Sequence, residues 1–91
     1  MAVFMIGYNL HPTQGEAHDD LLNAIQNVGT SSWHCLDSTW LVISDKTATQ
    51  IRDELRPHIK DDDQLLIMRY GKGAAWFGFR GECWSWLKKT L

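Results

Sequence analysis

The chain has 91 residues, of which 44% are hydrophobic and 22% are charged. This composition predicts one folded domain over residues 1–91 and excludes a disordered tail or linker. The formal net charge of −2 is not that of a strongly basic, duplex-binding protein. No apolar run approaches the roughly 18 residues of a membrane span, and Met1–Leu10 lacks the features of a signal peptide. We therefore expect a cytoplasmic protein with no membrane partner, in which Cys35 and Cys83 are reduced packing residues.

The first half of the chain predicts a strand, a helix and a hairpin, in that order. Ala2–Tyr8 is a short apolar run of strand-forming residues. Thr13 and Glu16 have capping-box spacing and precede apolar residues at helical intervals. Trp33–Ser44 is rich in aromatic and branched residues and is interrupted once by turn-forming residues, which predicts a two-stranded hairpin.

The second half predicts a helix, a strand and a tryptophan-rich extension. Thr47 and Gln50 form a second capping-box pair at the start of an amphipathic helix. Gln64–Tyr70 has the composition of a strand. Ala74–Phe79 predicts a fifth strand, and Cys83–Leu91 places its apolar residues on one helical stripe.

The order β-α-β-β-α-β over residues 2–70 predicts an α+β, ferredoxin-like fold, with residues 71–91 as a C-terminal extension. Two helices would cover one face of a four-stranded antiparallel sheet, yet the strands are apolar on both sides. The second face therefore needs a cover, which is the tail, a second copy of the chain, or both. We favour a face-to-face homodimer whose tails add to the partner's sheet; a tail folded over its own sheet in a monomer is the alternative. The expected interface residues are Phe4, Ile6, Tyr8, Trp40 and Trp76.

Three segments, Tyr8-Asn9-Leu10, Leu36–Trp40 and Asp63–Met68, resemble those of a known family. They are similar to the small CRISPR-associated adaptation proteins of the second family and to VapD-like relatives, often labelled SinR-like. The resemblance implies a homodimer of prokaryotic or phage type with a C-terminal strand reaching the partner. The family's nucleases hold a divalent metal through an aspartate at the end of strand one, where this chain has Asn9. Because an amide is a poor magnesium ligand, this position argues against metal-dependent cleavage, and we expect no metal, cofactor or catalytic residue.

Polar residues after strand one and in the hairpin form a candidate pocket. These residues are Asn9, His11, Asp37 and Ser38, with Ser38 at the position of the family's serine. A metal or acid–base pair of His11 with His18 is less favoured than a loop histidine and an exposed helix face. Adjacent strand residues point to opposite faces, so His34 and Cys35 do not form a thiol dyad.

Charge is distributed unevenly along the chain. Residues 1–68 carry four basic and ten acidic side chains, whereas residues 69–91 carry five basic side chains and one acidic one. A basic tail with interleaved aromatics predicts phosphate contacts and base stacking. The expected phosphate-binding residues are Arg69, Lys72, Arg80 and Lys88.

We therefore expect a non-catalytic protein that binds RNA or DNA. One alternative is a metal-dependent endonuclease or toxin that uses Asp37, His11 or Asp19 in place of the missing aspartate. The other is a protein-binding module that docks a polypeptide on its sheet edge or its tail.

Overall fold

The computed structural model describes residues 1–11 and 19–91. The four strands are Ala2–Asn9 (β1), Ser31–Leu36 (β2), Thr39–Ser44 (β3) and Gln64–Arg69 (β4). The three helices are Asp19–Asn27 (α1), Ala48–Leu55 (α2) and Gly81–Thr90 (α3), and one turn of 3-10 helix, Arg56–His58, follows α2. The predicted capping box at Thr13 and Glu16, together with His18, lies outside the described residues.

The strands form one antiparallel sheet in the order β2-β3-β1-β4. Along the chain the elements follow the order β1-α1-β2-β3-α2-β4-α3. The predicted α+β class and four-stranded antiparallel sheet are therefore confirmed. Within residues 1–11 and 19–91, none of the helices has the length and apolar composition that crossing a membrane requires.

α2 begins at the predicted capping box. The Thr47 hydroxyl accepts the backbone N–H of Gln50 at 3.1 Å, and the Gln50 side chain accepts the backbone N–H of Thr47 at 2.8 Å. One turn apart on the inner face of this helix, Ile51 and Leu55 are fully buried. They pack with α1 against one face of the sheet, and this forms the core. The buried core residues are Phe4, Ile6, Leu21, Ile25, Val28, Trp40, Val42, Ile51 and Leu55.

Most residues expected at a dimer interface lie on this helix-covered face. Phe4, Ile6 and Trp40 are buried between sheet and helices, and Tyr8 packs against the same core. A partner's sheet cannot contact these side chains, so the prediction that they form a dimer interface is wrong. Because successive residues of a strand point to opposite faces, the sequence shows which side chains share a face of the sheet. Where both faces are apolar, it does not show which face the helices cover. Trp76 is different, because it lies half-buried beside the opposite face.

The expected fifth strand at Ala74–Phe79 is wrong. The segment between β4 and α3 contains no strand, whereas the predicted C-terminal helix is present as α3. Gly73 and Gly78 have φ angles of 87° and 94°, which is far from the extended conformation that a ladder requires. The segment therefore crosses the sheet as a loop.

α3 packs on its own chain, against the edge strand β2. Leu87 and Trp33 are both buried, at 3% and 5% exposure. The indole N–H of Trp33 donates to the carbonyl oxygen of Cys83 at 3.0 Å, and that of Trp86 donates to the Ser31 hydroxyl at 2.8 Å. The C-terminal segment thus covers the β2 side of the second face of its own sheet, so the expectation that the tail adds a strand to a partner's sheet is wrong.

A disulfide between Cys35 and Cys83 fastens the first turn of α3 to β2, with a Cα–Cα distance of 6.2 Å. The expectation of two reduced cysteines is therefore wrong. The two residues are 48 positions apart and meet only because the tail folds back across β2. Disulfides are typical of oxidising compartments and uncommon in the cytoplasm that we expected for this protein.

The C-terminal segment leaves part of the second face exposed. Gly7 pairs with Thr39 on one side and Leu66 on the other, and Thr39 pairs with Leu36. We call these four residues the uncovered row. Leu36 and Leu66 are 47% and 53% exposed, and a methyl group at Gly7 would meet no atom within 4 Å. A row with two exposed leucines therefore crosses the sheet, and its Leu36–Thr39 end borders the space beneath the C-terminal segment.

Candidate functional site

The basic side chains of the C-terminal segment have no ion-pair partner among the described residues. By contrast, Lys46, Arg52 and Arg56 each pair with an acidic side chain. We call the basic residues from Arg69 onward the tail cations. All of them are exposed: Arg69, Lys72, Arg80, Lys88 and Lys89. Their positive charge is therefore available to an external anion.

Secondary structure places these cations at the end of β4, in the loop and on α3. Arg69 is the last residue of β4, and Tyr70 still donates its backbone N–H to Val3 at 2.7 Å. Arg80 is the N-cap residue of α3. Lys88 and Lys89 lie in the last turn of α3, where the helix dipole favours positive charge.

The aromatic residues of this segment divide into an outer and an inner group. Phe77 is 96% exposed and Trp84 is 44% exposed. The Lys88 ammonium lies 5.6 Å from the centre of the Trp84 ring, as in a cation–π pair. Phe79 instead packs edge-to-face against Trp33, with ring centres 5.0 Å apart. The outer group is free to stack on a ligand, and the inner group fixes the tail to the sheet.

A cleft of about 480 Å³ lies between the second face of the sheet and the C-terminal segment. Its floor includes Met5, Leu41 and Met68, which pair across three neighbouring strands. Trp76 and Leu87 form part of its wall. Two of the tail cations, Arg69 and Lys72, also line it.

A second, more polar cavity of about 340 Å³ lies where β1 ends beside the β2–β3 turn. Asn9, Asp37 and Ser38, three of the four residues of the predicted pocket, line it. They meet because Tyr8 donates its backbone N–H to the Ser38 carbonyl at 3.1 Å. The sequence prediction did not include His34, which lines the same cavity from β2.

Hydrogen bonds hold the side chains of this cavity in place. The carbonyl oxygen of Asp37 accepts from the Tyr8 hydroxyl at 3.4 Å and from Nε2 of His34 at 3.3 Å. Because a carbonyl can only accept, Nε2 of His34 carries the proton. The His34 ring also stacks on Trp40, with centres 4.0 Å apart. No described residue forms a hydrogen bond with the Ser38 hydroxyl.

The thiol dyad is excluded by covalent chemistry as well as by strand geometry. Cys35 is bonded to Cys83 and offers no free thiol. Asn9 also has a partner, because its amide nitrogen donates to Oε1 of Gln64 at 3.2 Å. The end of β1 thus presents a pair of neutral amides, and neutral amides alone bind a hard divalent cation weakly.

His11, the fourth predicted pocket residue, lies against Asp63 instead. The Asp63 carboxylate accepts the backbone N–H of His11 at 2.8 Å and that of Lys60 at 2.9 Å, and its side chain is only 3% exposed. These backbone hydrogen bonds, that of His11 first, lower the pKa of Asp63. Ligand atoms of His11, Asp62 and Asp63 lie within 4.8 Å of one another. Since both Asp63 oxygens already accept backbone N–H groups, this carboxylate links the loop at His11 to the loop at Lys60. We call this link the Asp63 clip.

Comparison of the chain with protein-family models and with curated proteins gave no match. The family resemblance remains a prediction based on the segments given above. The geometry of the tail, the cleft and the polar cavity is therefore the basis for a functional proposal.

Proposed function

We propose that this protein binds single-stranded nucleic acid through its C-terminal segment, without cleaving it. The observation that carries this proposal is the set of exposed tail cations, none of which has an ion-pair partner among the described residues. A phosphate backbone releases counterions when such cations neutralise it, and this release drives binding.

The exposed aromatics favour a single strand over a duplex. A base that is not already paired can stack on Phe77, which is 96% exposed, or on Trp84. Lys88 lies beside Trp84 and is positioned to contact a neighbouring phosphate. The acidic excess of residues 1–68 disfavours the broad electrostatic contact that a duplex binder makes.

The proposal includes a ferredoxin-like fold assembled as a homodimer. The element order and the sheet order β2-β3-β1-β4 support the fold assignment. The uncovered row supports the dimer, because covering its exposed leucines removes apolar area from water. Two-fold symmetry would give the dimer two basic tails and thus a longer binding surface for a single strand of nucleic acid.

A binding titration with matched charge variants tests the proposal. Fluorescently labelled single-stranded RNA, single-stranded DNA and a duplex of the same sequence are titrated with protein and followed by anisotropy. We expect both single strands to bind more tightly than the duplex and Lys72→Glu to weaken binding about tenfold, since charge-assisted contacts contribute about 1.5–3 kcal/mol each. Arg52→Glu is the control, because it makes the same change in net charge at a cation paired with Asp53.

Two results would contradict the proposal. One is an equal effect of the tail and control variants, and the other is tighter binding of the duplex. In the same samples, added Mg²⁺ should leave the oligonucleotides intact on a gel, because the end of β1 has Asn9 and Gln64 in place of carboxylates.

A further inference from the structure

The cleft on the second face of the sheet has the size and lining of a small-molecule site. Its volume of about 480 Å³ lies within the range of ligand pockets. The floor is apolar because Met5, Leu41 and Met68 form one cross-strand row. Trp76 adds an aromatic wall, and the buried Leu87 of α3 closes one side.

The charge of the cleft selects among apolar ligands. Lys72 supplies the positive charge of the cleft, because Arg69, which also lines it, pairs with Phe4 and directs its side chain to the other face of the sheet; no described lining residue is acidic. Both cations are exposed, and neither forms a salt bridge within the described chain. An apolar molecule with a negative head group gains both burial and charge pairing with Lys72 here, whereas one with a positive head group meets a like charge.

We propose that this cleft binds an amphipathic organic anion, with its apolar body on the Met5–Leu41–Met68 row and its anionic head group at Lys72. The flexible thioether side chains of the two methionines adapt to bodies of different shape. An aromatic body would also stack beside Trp76. This site shares Lys72 with the proposed nucleic-acid surface, but its main contacts are apolar residues of the sheet.

Displacement of a fluorescent anion tests the site in the full-length protein. Anilinonaphthalene sulfonate, itself an amphipathic anion, is titrated until its fluorescence saturates. We expect one site per chain and displacement by dodecanoate or naphthoate, but not by the cationic dodecyltrimethylammonium. Comparison of dodecanoate with naphthoate distinguishes an aliphatic from an aromatic body.

Two glutamate variants on β4 give a matched pair. Met68 lines the cleft and Leu66 does not, although both lie on the same face and are 51% and 53% exposed. Met68→Glu should weaken binding of the probe by about tenfold or more, a free-energy change of about 1.4 kcal/mol. Leu66→Glu should leave it unchanged even where it separates the proposed dimer, because every residue that lines the cleft belongs to one chain. Both residues are exposed, so neither variant should prevent folding.

Three outcomes would overturn the proposal: no saturable binding, equal displacement by the cationic amphiphile, and equal loss in the two glutamate variants. Oligonucleotide binding measured in Met68→Glu separates this site from the proposed function. Oligonucleotide binding should persist in Met68→Glu, since the substitution leaves all the tail cations in place. If oligonucleotides fail to bind the wild-type protein but the anion is bound as described, this proposal stands alone.

Discussion

The carboxylate of Asp63 holds the end of β1 against the loop that precedes β4. Its hydrogen bonds to the backbone N–H groups of His11 and Lys60 favour the ionised form and lower its pKa below the ordinary value of 3.8. A carboxyl group with a lowered pKa in the folded state contributes stability above its unfolded pKa, and this contribution is lost as the pH falls through the folded value. We therefore expect this clip to weaken in acid.

Asp63→Asn tests the clip. The variant should have a lower free energy of unfolding than the wild type at neutral pH, and the difference should shrink below the ordinary carboxyl pKa of 3.8. Denaturant unfolding followed by tryptophan fluorescence at several pH values measures this. Asp62→Asn, at the exposed neighbouring carboxylate, is the control. A difference between Asp63→Asn and wild type that does not change with pH would contradict the account.

Individual residues of the polar cavity show what can be predicted locally. Asn9, Asp37 and Ser38 lie together, as predicted, because the end of β1 lies beside the turn between β2 and its own neighbour β3. His11 lies apart from this cavity, against the prediction, because it follows the last β1 residue, where strand pairing no longer sets the direction of the chain. Its partner Asp63 is 52 residues away, and no local pattern connects the two.

At the scale of elements, the disulfide joins α3 to the edge of the sheet. The Cys35–Cys83 bridge acts together with the buried Leu87 and the hydrogen bonds of Trp33 and Trp86. In the chain-entropy model, a closed loop with this separation of 48 residues stabilises the fold by about 4 kcal/mol.

Reduction of the disulfide should therefore lower the free energy of unfolding by about 4 kcal/mol, measured by denaturant titration with and without a dithiol reductant. Hydrogen exchange should become faster in α3 than in α2, because α2 is anchored by Ile51 and Leu55 in the main core. A Cys35→Ser/Cys83→Ser variant serves as control, since the reductant should not change its stability. Unchanged stability of the wild type in reductant would contradict this role.

The elements also show why the tail was predicted less well than the sheet. The capping box of α2 and the apolar runs of the strands are local signals, and both correspond to observed elements. The apolar run at Ala74–Phe79 resembles a strand, but Gly73 and Gly78 turn the backbone away from a ladder. The position of α3 depends on a contact with β2 across 48 residues, which neither periodicity nor composition encodes.

At the scale of the whole molecule, the uncovered row predicts self-association. Light scattering should give twice the chain mass of 10.5 kDa for the wild type. Leu66→Glu should give the single-chain mass, because it places a charge in the row. Thr49→Glu, exposed on α2 on the other side of the sheet, is the matched control and should remain dimeric. A single-chain mass for the wild type at micromolar concentration would contradict the dimer.

The proposed function depends most on contacts between the tail cations and phosphates, and the salt dependence of oligonucleotide binding tests these contacts directly. We expect the logarithm of the association constant to fall linearly with the logarithm of salt concentration. The slope should decrease by about one in Lys72→Glu and stay unchanged in Arg52→Glu. Binding that does not depend on salt, or the same slope in all three proteins, would contradict it.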